Sequence, residues 1–343
     1  MSGAARRVRH RGAMPRLGAI LAALLALAVL AGCTVPRPPG EGTIRYRDPV
    51  FTNGTVTRDL QYGSAPSQTG QTVALKLDLY QPAGDAQTKR PVLVWVHGGG
   101  FSSGDKASGI APDIGNTFAK LGYVVASINY RLISPGCTGS SIRPACVTAA
   151  IDAQHDAQAA VRWLRANAAT YRLDGTRIGI GGESAGAITA VLVGVHSEDP
   201  GTSGNPGFPS TVGGFVSISG GLPNGVFAGA GDAPGVLFHG TADAIVPFKW
   251  SADTTAALLH ANVPVFLEIQ EGAGHVPYAQ YRDLFIQQID YFLYSVLDLA
   301  HANGQPAAAG RAFDRQPLRL RAKYRRFEPA VRQLRRSYAH FGH

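Results

Sequence analysis

The stretch that most limits what this chain can fold into is Gly182-Glu183-Ser184-Ala185-Gly186. It follows a short apolar run, Arg177-Ile178-Gly179-Ile180-Gly181, and precedes a small-residue apolar stretch from Ala187 to Val195. The order is strand, sharp turn, helix. A turn that tight holds its serine at strained backbone angles, and glycines two before and two after remove the side chains that would collide there. The hydroxyl is then lifted from the end of a sheet at the N-terminus of the next helix. Free N–H groups and the helix dipole favour developing negative charge at that point. The pattern points to a nucleophilic serine. A Gly-rich turn without chemistry is the other reading of these five residues alone.

A second glycine cluster narrows the choice. His97-Gly98-Gly99-Gly100-Phe101 lies 87 residues before the serine and closes another apolar strand, Pro91 to Val96. Attack on an ester carbonyl creates a tetrahedral oxyanion, which needs preorganised donors about 3 Å away. Consecutive glycines let backbone N–H groups approach that oxygen. Gly99 and Gly100 are the candidates, with Gly98 as a third, and the N–H of Ala185 would be the other donor. A serine also needs a base, and an acid that orients the base. Gly235 to Gly240 reads as a strand running into a turn that holds Asp243. Val263 to Ile269 reads as the next strand, leading to a loop that holds His275. Asp232 and Asp253 are the weaker acid candidates, because neither follows the corresponding strand.

Together the motifs GESAG, HGGGF, HGTADAIVP and GAGHVP resemble the carboxylesterase and lipase branch of the α/β-hydrolase superfamily. In character they are closest to compact bacterial esterases of the feruloyl and acetyl-xylan esterase type and their hormone-sensitive-lipase-like cousins. The resemblance covers roughly residues 43 to 300. One departure is that GESAG is usual in long cholinesterase-like esterases, whereas this chain has 343 residues. The resemblance implies an α/β fold with a mostly parallel central sheet, helices on both faces and little or no cap. It implies the triad Ser184, Asp243 and His275 in the chain order of that superfamily, acting on a carboxylic ester without metal or organic cofactor. Carbohydrate, short-chain acyl and lipid-like esters all remain open. So do an amidase, formamidase or peptidase on the same triad, and a non-catalytic envelope binding protein.

The link from Leu222 to Asp232 is too short for a large helical cap. The expectation is a shallow, open site suited to short acyl groups or to esters projecting from a larger body. Glu183 is expected to be a buried hydrogen-bonding partner turned away from Ser184. His239 is expected to shape the turn before Asp243. His155, His196, His260 and His301 lie on or beside helices and read as surface or packing residues.

The ends differ from the middle. Arg6, Arg7, Arg9, Arg11 and Arg16 precede the apolar run Leu17 to Ala31, which is short for a membrane-spanning helix. The run ends Leu30-Ala31-Gly32-Cys33, which resembles a bacterial lipobox. The expectation is a signal peptide over 1–32 and a lipidated Cys33 at a membrane surface, with an ordinary signal peptide and secretion as the alternative. Pro-rich residues 33–42 read as a tether, 43–305 as the catalytic domain and 306–343 as a basic tail. From 311 onward the tail has ten Lys or Arg and two acids. The net charge of +9 therefore resides at the ends, and a high pI is no sign of nucleic-acid binding. Phe327, Val331, Leu334 and Tyr338 recur at helical spacing, so the tail reads as a basic amphipathic helix on an anionic membrane or wall polymer, or as a solvated segment.

Cys137 and Cys146 bracket a Gly- and Ser-containing loop and read as one disulfide in an oxidising compartment, or as two free thiols. No Cys or His spacing suggests a metal site. Residues 43–62 and 72–80 read as early antiparallel strands. Helices are expected over 114–121, 147–168 and 278–299, with Ala153, Ala157, Ala160, Val161 and Leu164 as one core face and Phe285, Ile289 and Phe292 on another. Asp152 and Asp156 read as a surface or packing pair, and Arg131 as structural.

Overall fold

The computed structural model describes residues 35–137, 143–197, 199–223 and 228–303. Eight strands form one sheet: β1 (Gly54–Pro66), β2 (Thr72–Pro82), β3 (Arg90–Val96), β4 (Val124–Ile128), β5 (Leu173–Glu183), β6 (Phe215–Ile218), β7 (Gly235–Gly240) and β8 (Val265–Gln270). Their spatial order is β1-β2-β4-β3-β5-β6-β7-β8. β1 pairs antiparallel with β2, and β2 with β4, while all later pairings are parallel. The helices are α1 (Ala111–Leu121), α2 (Pro144–Ala166), α3 (Ala168–Tyr171), α4 (Ala185–Val195), α5 (Phe248–His260), α6 (Tyr278–Val296) and α7 (Leu299–Ala302).

Every residue of β3, β4, β6 and β7 is buried. That is what a parallel sheet covered on both faces demands, and it accounts for the unbroken apolar runs. Leu93 and Trp95 of β3 join Ile114 and Phe118 of α1 and Phe285, Ile289 and Phe292 of α6 in one core cluster. Successive strand residues point to opposite faces, so Val92, Val94 and Val96 point the other way. There α2 and α4 pack against β3 and against each other. This is the α/β-hydrolase fold, with the mostly parallel sheet and two helical layers that the motifs imply.

The expected helices are present, with ends up to three residues away. Pro112 and Pro144 lie in the first turns of α1 and α2 and pull their starts forward, since a proline there forgoes no helical hydrogen bond. Two segments depart more. Residues 43–53, expected as strand, contain a turn in which the backbone N–H of Ile44 donates to Asp48 at 2.8 Å. Residues 35–42, expected as a tether, lie against the domain. Val35 is buried in the core cluster, and its N–H donates to Gln288 of α6. The buried Arg47 guanidinium donates to the carbonyls of Pro38, Gly40 and Gly42. A buried arginine gathering three carbonyls holds the proline-rich segment in place, which composition did not reveal.

The expected signal peptide over 1–32, Cys33 and the basic C-terminal residues lie outside the described residues. Among those described, no helix is long and apolar enough to cross a membrane.

Candidate active site

The strand ends build the site. β5 runs into α4 through Ser184, whose φ of 55° and ψ of −120° lie where few side chains are tolerated. A Cβ on Gly182 would stand 2.5 Å from the Val96 carbonyl oxygen, and one on Gly186 would collide with the same oxygen. The glycines flanking the serine are therefore dictated by β3 passing alongside the turn. The N–H of Ser184 is taken by the Ile218 carbonyl at 2.9 Å. The N–H of Ala185, at the first position of α4, meets no protein acceptor among the described residues.

β3 ends in the glycine loop. Gly99, Gly100 and Phe101 all have positive φ, at 111°, 59° and 59°. Gly98 donates its N–H to Glu183 Oε1 at 3.1 Å, which removes it from the donor candidates. The N–H groups of Gly99 and Gly100 have no protein acceptor among the described residues. The loop is clamped through its carbonyls: Ser102 and Ser103 donate to Gly99, Cys137 to Gly100 at 2.7 Å and Ile133 to Phe101 at 2.8 Å. Cys137 is itself bonded to Cys146 in the first turn of α2, so the expected disulfide forms, closing over a loop of which residues 138–142 lie outside the described set. His97 stacks on Tyr130 at 4.5 Å, and burial lowers its pKa, so it stays neutral beneath the loop.

The loops after β7 and β8 bring in Asp243 and His275. Ser184 Oγ lies 2.9 Å from His275 Nε2, and His275 Nδ1 lies 2.8 Å from Asp243 Oδ2. The carboxylate accepts from Nδ1–H, which leaves Nε2 as an acceptor for the serine hydroxyl. Asp243 Oδ1 accepts the N–H groups of Ile245 and Val246, both at 2.9 Å. Burial opposes its ionisation, but the hydrogen bonds from His239, His275 and those two N–H groups outweigh it and hold the carboxyl far below the usual range. Asp232 caps its own loop at Gly229, and Asp253 pairs with Lys249 on α5.

The sequence reading missed the contacts of three residues. His239 Nε2 lies 2.9 Å from the Val246 carbonyl and 3.1 Å from Asp243 Oδ2, and its Nδ1 lies 2.7 Å from Ser251 Oγ, so this histidine braces the turn and shares its Nε2–H with the acid. The faint signal was its position four residues before Asp243 at the end of a buried strand. Glu183 is the expected buried partner, but what it holds was not legible: besides Gly98 it accepts the Trp95 indole N–H at 2.9 Å. Desolvation pushes its pKa up to about 8 against those two hydrogen bonds. Arg131 is structural, as expected, and accounts for the pair on α2: it bridges Asp152 at 3.0 Å and Asp156 at 2.8 Å.

The serine opens into a cavity of about 1100 Å³. Its walls include the 101–110 loop, the N-terminal half of α2 beside Cys137 and Cys146, and Leu222 and Pro223 of the short link after β6.

A family model described as BD-FAE matches residues 77–212, the span holding the glycine loop and the elbow. Over 176 residues the chain is 31% identical to a fumonisin B1 esterase of Sphingopyxis macrogoltabida, covering 45% of this chain and 31% of that protein. The chain thus spans about a third or less of the length of the curated relatives it matches. The thermophilic esterase Est2 of Thermogutta terrifontis superimposes with a TM-score of 0.59 at 23% identity, covering 74% of this chain and 96% of that one. The form of that esterase phosphoramylated by tabun aligns at 25% identity with a TM-score of 0.57, over 74% of this chain and 98% of the other.

Proposed function

We propose that this α/β-hydrolase-fold chain is a serine-dependent carboxylic-ester hydrolase working through an acyl-enzyme. The observation that carries the reading is the unbroken Ser184–His275–Asp243 hydrogen-bond chain beside N–H groups with no protein acceptor among the described residues. His275 Nε2 takes the hydroxyl proton as Ser184 Oγ bonds to the ester carbonyl carbon. The carbonyl oxygen becomes the oxyanion and receives the N–H groups of Gly99, Gly100 and Ala185. The ionised Asp243 fixes the imidazole tautomer and stabilises the imidazolium. His275 then gives its proton to the departing alcohol, and water repeats the sequence on the acyl-enzyme. The relatives named as esterases, and a fold neighbour modified by an organophosphate, support the same reading.

The site of action in this proposal is the cell envelope, on the strength of the arginines, apolar run and lipobox-like Cys33 at the N-terminus.

The test is hydrolysis of nitrophenyl acetate and of a matched anilide, with Ser184→Ala as control. The expected result is ester cleavage well above amide cleavage and a loss of at least about 10³-fold in the control. Amide cleavage exceeding ester cleavage would move the assignment to an amidase. A rate equal in both proteins would end the serine reading.

A further inference from the structure

One arm of the cavity has a definite direction. α4 is buried nearly all round, and its uncovered residues are Ile188 and Leu192. With Ala185 before them and His196 after, they form a single stripe that lines the cavity. Facing it is a stripe of α2, Val147, Ala150, Ile151 and Gln154, also in the lining. α2 and α4 pack against each other, so the two stripes are walls of one trough. No polar side chain of either helix lines it before Gln154 and His196, where Gln154 meets the His196 carbonyl.

The rim agrees. Six large apolar side chains are exposed among the described residues, and three of them, Val147 at 46%, Ile151 at 41% and Ile245 at 43%, belong to this cavity. An apolar rim continuous with a reacting serine needs an apolar occupant. Among the described residues the stretch from Ala185 to Leu192, facing Val147, Ala150 and Ile151, offers no polar side chain to a sugar's hydroxyls, and Gln154, His196 and Asp199 stand only at its far end; unpaired polar groups are costly to desolvate.

We propose that the trough holds the acyl chain of the substrate, an extended apolar chain of about eight to twelve carbons, on the scale set by backbone bond lengths and helix rise. The inference rests on the ester-hydrolase reading above. The length follows from the stripe. Ala185 to Leu192 spans about 10 Å and Ala185 to the end of α4 at Val195 about 15 Å at the rise of an α-helix, with the polar Gln154 and His196 beyond. An extended chain advances about 1.2 Å per bond. The acyl side is assigned because the trough begins at Ala185 and at Gly100, beside Cys137, the groups that hold the acyl carbonyl oxygen. The alcohol leaves beside His275, whose chain neighbour Val276 lines the same cavity along with Val246 and Trp250.

The experiment is a series of nitrophenyl alkanoates from two to sixteen carbons, kept below their critical micelle concentrations, alongside acetates of lengthening alcohols. The expected result is that kcat/KM rises at least tenfold from acetate to an optimum between eight and twelve carbons and falls by sixteen. Leu192→Trp should shift the optimum to shorter chains and lower the decanoate-to-acetate ratio at least tenfold. Ile151→Asp, on the exposed rim, should lower the same ratio severalfold and serves if the tryptophan variant does not fold. A profile that is flat or falls from acetate onward, or one that follows the alcohol instead, overturns the inference while leaving ester hydrolysis in place. If no ester is cleaved at any length, calorimetry of decanoate and acetate on the Ser184→Ala protein decides independently of turnover. Selective decanoate binding that Ile151→Asp weakens supports the trough, and equal or absent binding overturns it.

Discussion

The ends of β5 and β7 each bring a buried carboxyl group toward the same serine, and the two are held in opposite states. Asp243 accepts from the His275 imidazole and two backbone N–H groups, and shares the His239 Nε2–H with the Val246 carbonyl. Those donors outweigh burial and keep it ionised far below the usual range. Glu183 accepts from one backbone N–H and one indole, and burial wins, leaving a pKa of about 8. The difference shows that burial alone does not set the charge of a carboxyl group. The number of donors, and whether they can carry charge, decides it. Asp243 is thereby suited to facing an imidazolium, while Glu183 anchors the glycine loop without adding full negative charge beside the developing oxyanion at neutral pH.

Removing the charge of Asp243 should have the largest effect. Asp243→Asn keeps the shape but presents an amide to His275 Nδ1, and kcat should fall about 10³–10⁴-fold with KM little changed, as steady-state kinetics would show. The next effect is on stability. Glu183 binds a proton in the folded chain between its ordinary pKa of 4.5 and about 8, and the unfolded chain does not. Stability therefore declines as pH rises through that window. Asp243 has the opposite sign, giving stability that is lost as pH falls below the ordinary carboxylate range. Denaturant titrations at pH 5 and 9 should show Glu183→Gln removing a difference on the order of a few kcal/mol. No change in that difference would mean the carboxyl is ionised throughout. The smallest effect belongs to His239→Gln. Asp243 loses one donor, its pKa rises, acid unfolding begins at higher pH and kcat falls about tenfold. An unchanged acid midpoint would show that His239 serves only the turn.

The parts of the site that were legible from sequence are those set by local sterics. Gly182 and Gly186 around Ser184, and Gly99 and Gly100 in the 97–101 loop, have no room for a Cβ, so the requirement is written into residue identity. Strand β3 was legible because burial on both faces leaves a long apolar run, and β5, β7 and β8 because a shorter apolar stretch in each leads into the residue it presents. The rest depends on pairs distant along the chain. Trp95 meets Glu183 across 88 residues, and no pattern near either one announces it. Val147 and Ile151 carry no signal of their own in the sequence, because only the docking of α2 on α4 makes a trough of them. Arg47 likewise turns a proline-rich segment into part of the domain through its side chain alone.

The backbone at Ser184, with φ of 55° and ψ of −120°, has a consequence beyond aiming a hydroxyl. A residue held in such a conformation persists only because its surroundings over-determine it, at a cost of order 1–3 kcal/mol. The strain is present in every folded molecule, whether or not an ester is bound. The chain thus gives up a share of its durability permanently so that no reorientation of the serine is needed at each encounter. Readiness and longevity are in tension at this one residue, and the helix and strands packed around it are what let the folded chain bear the conflict.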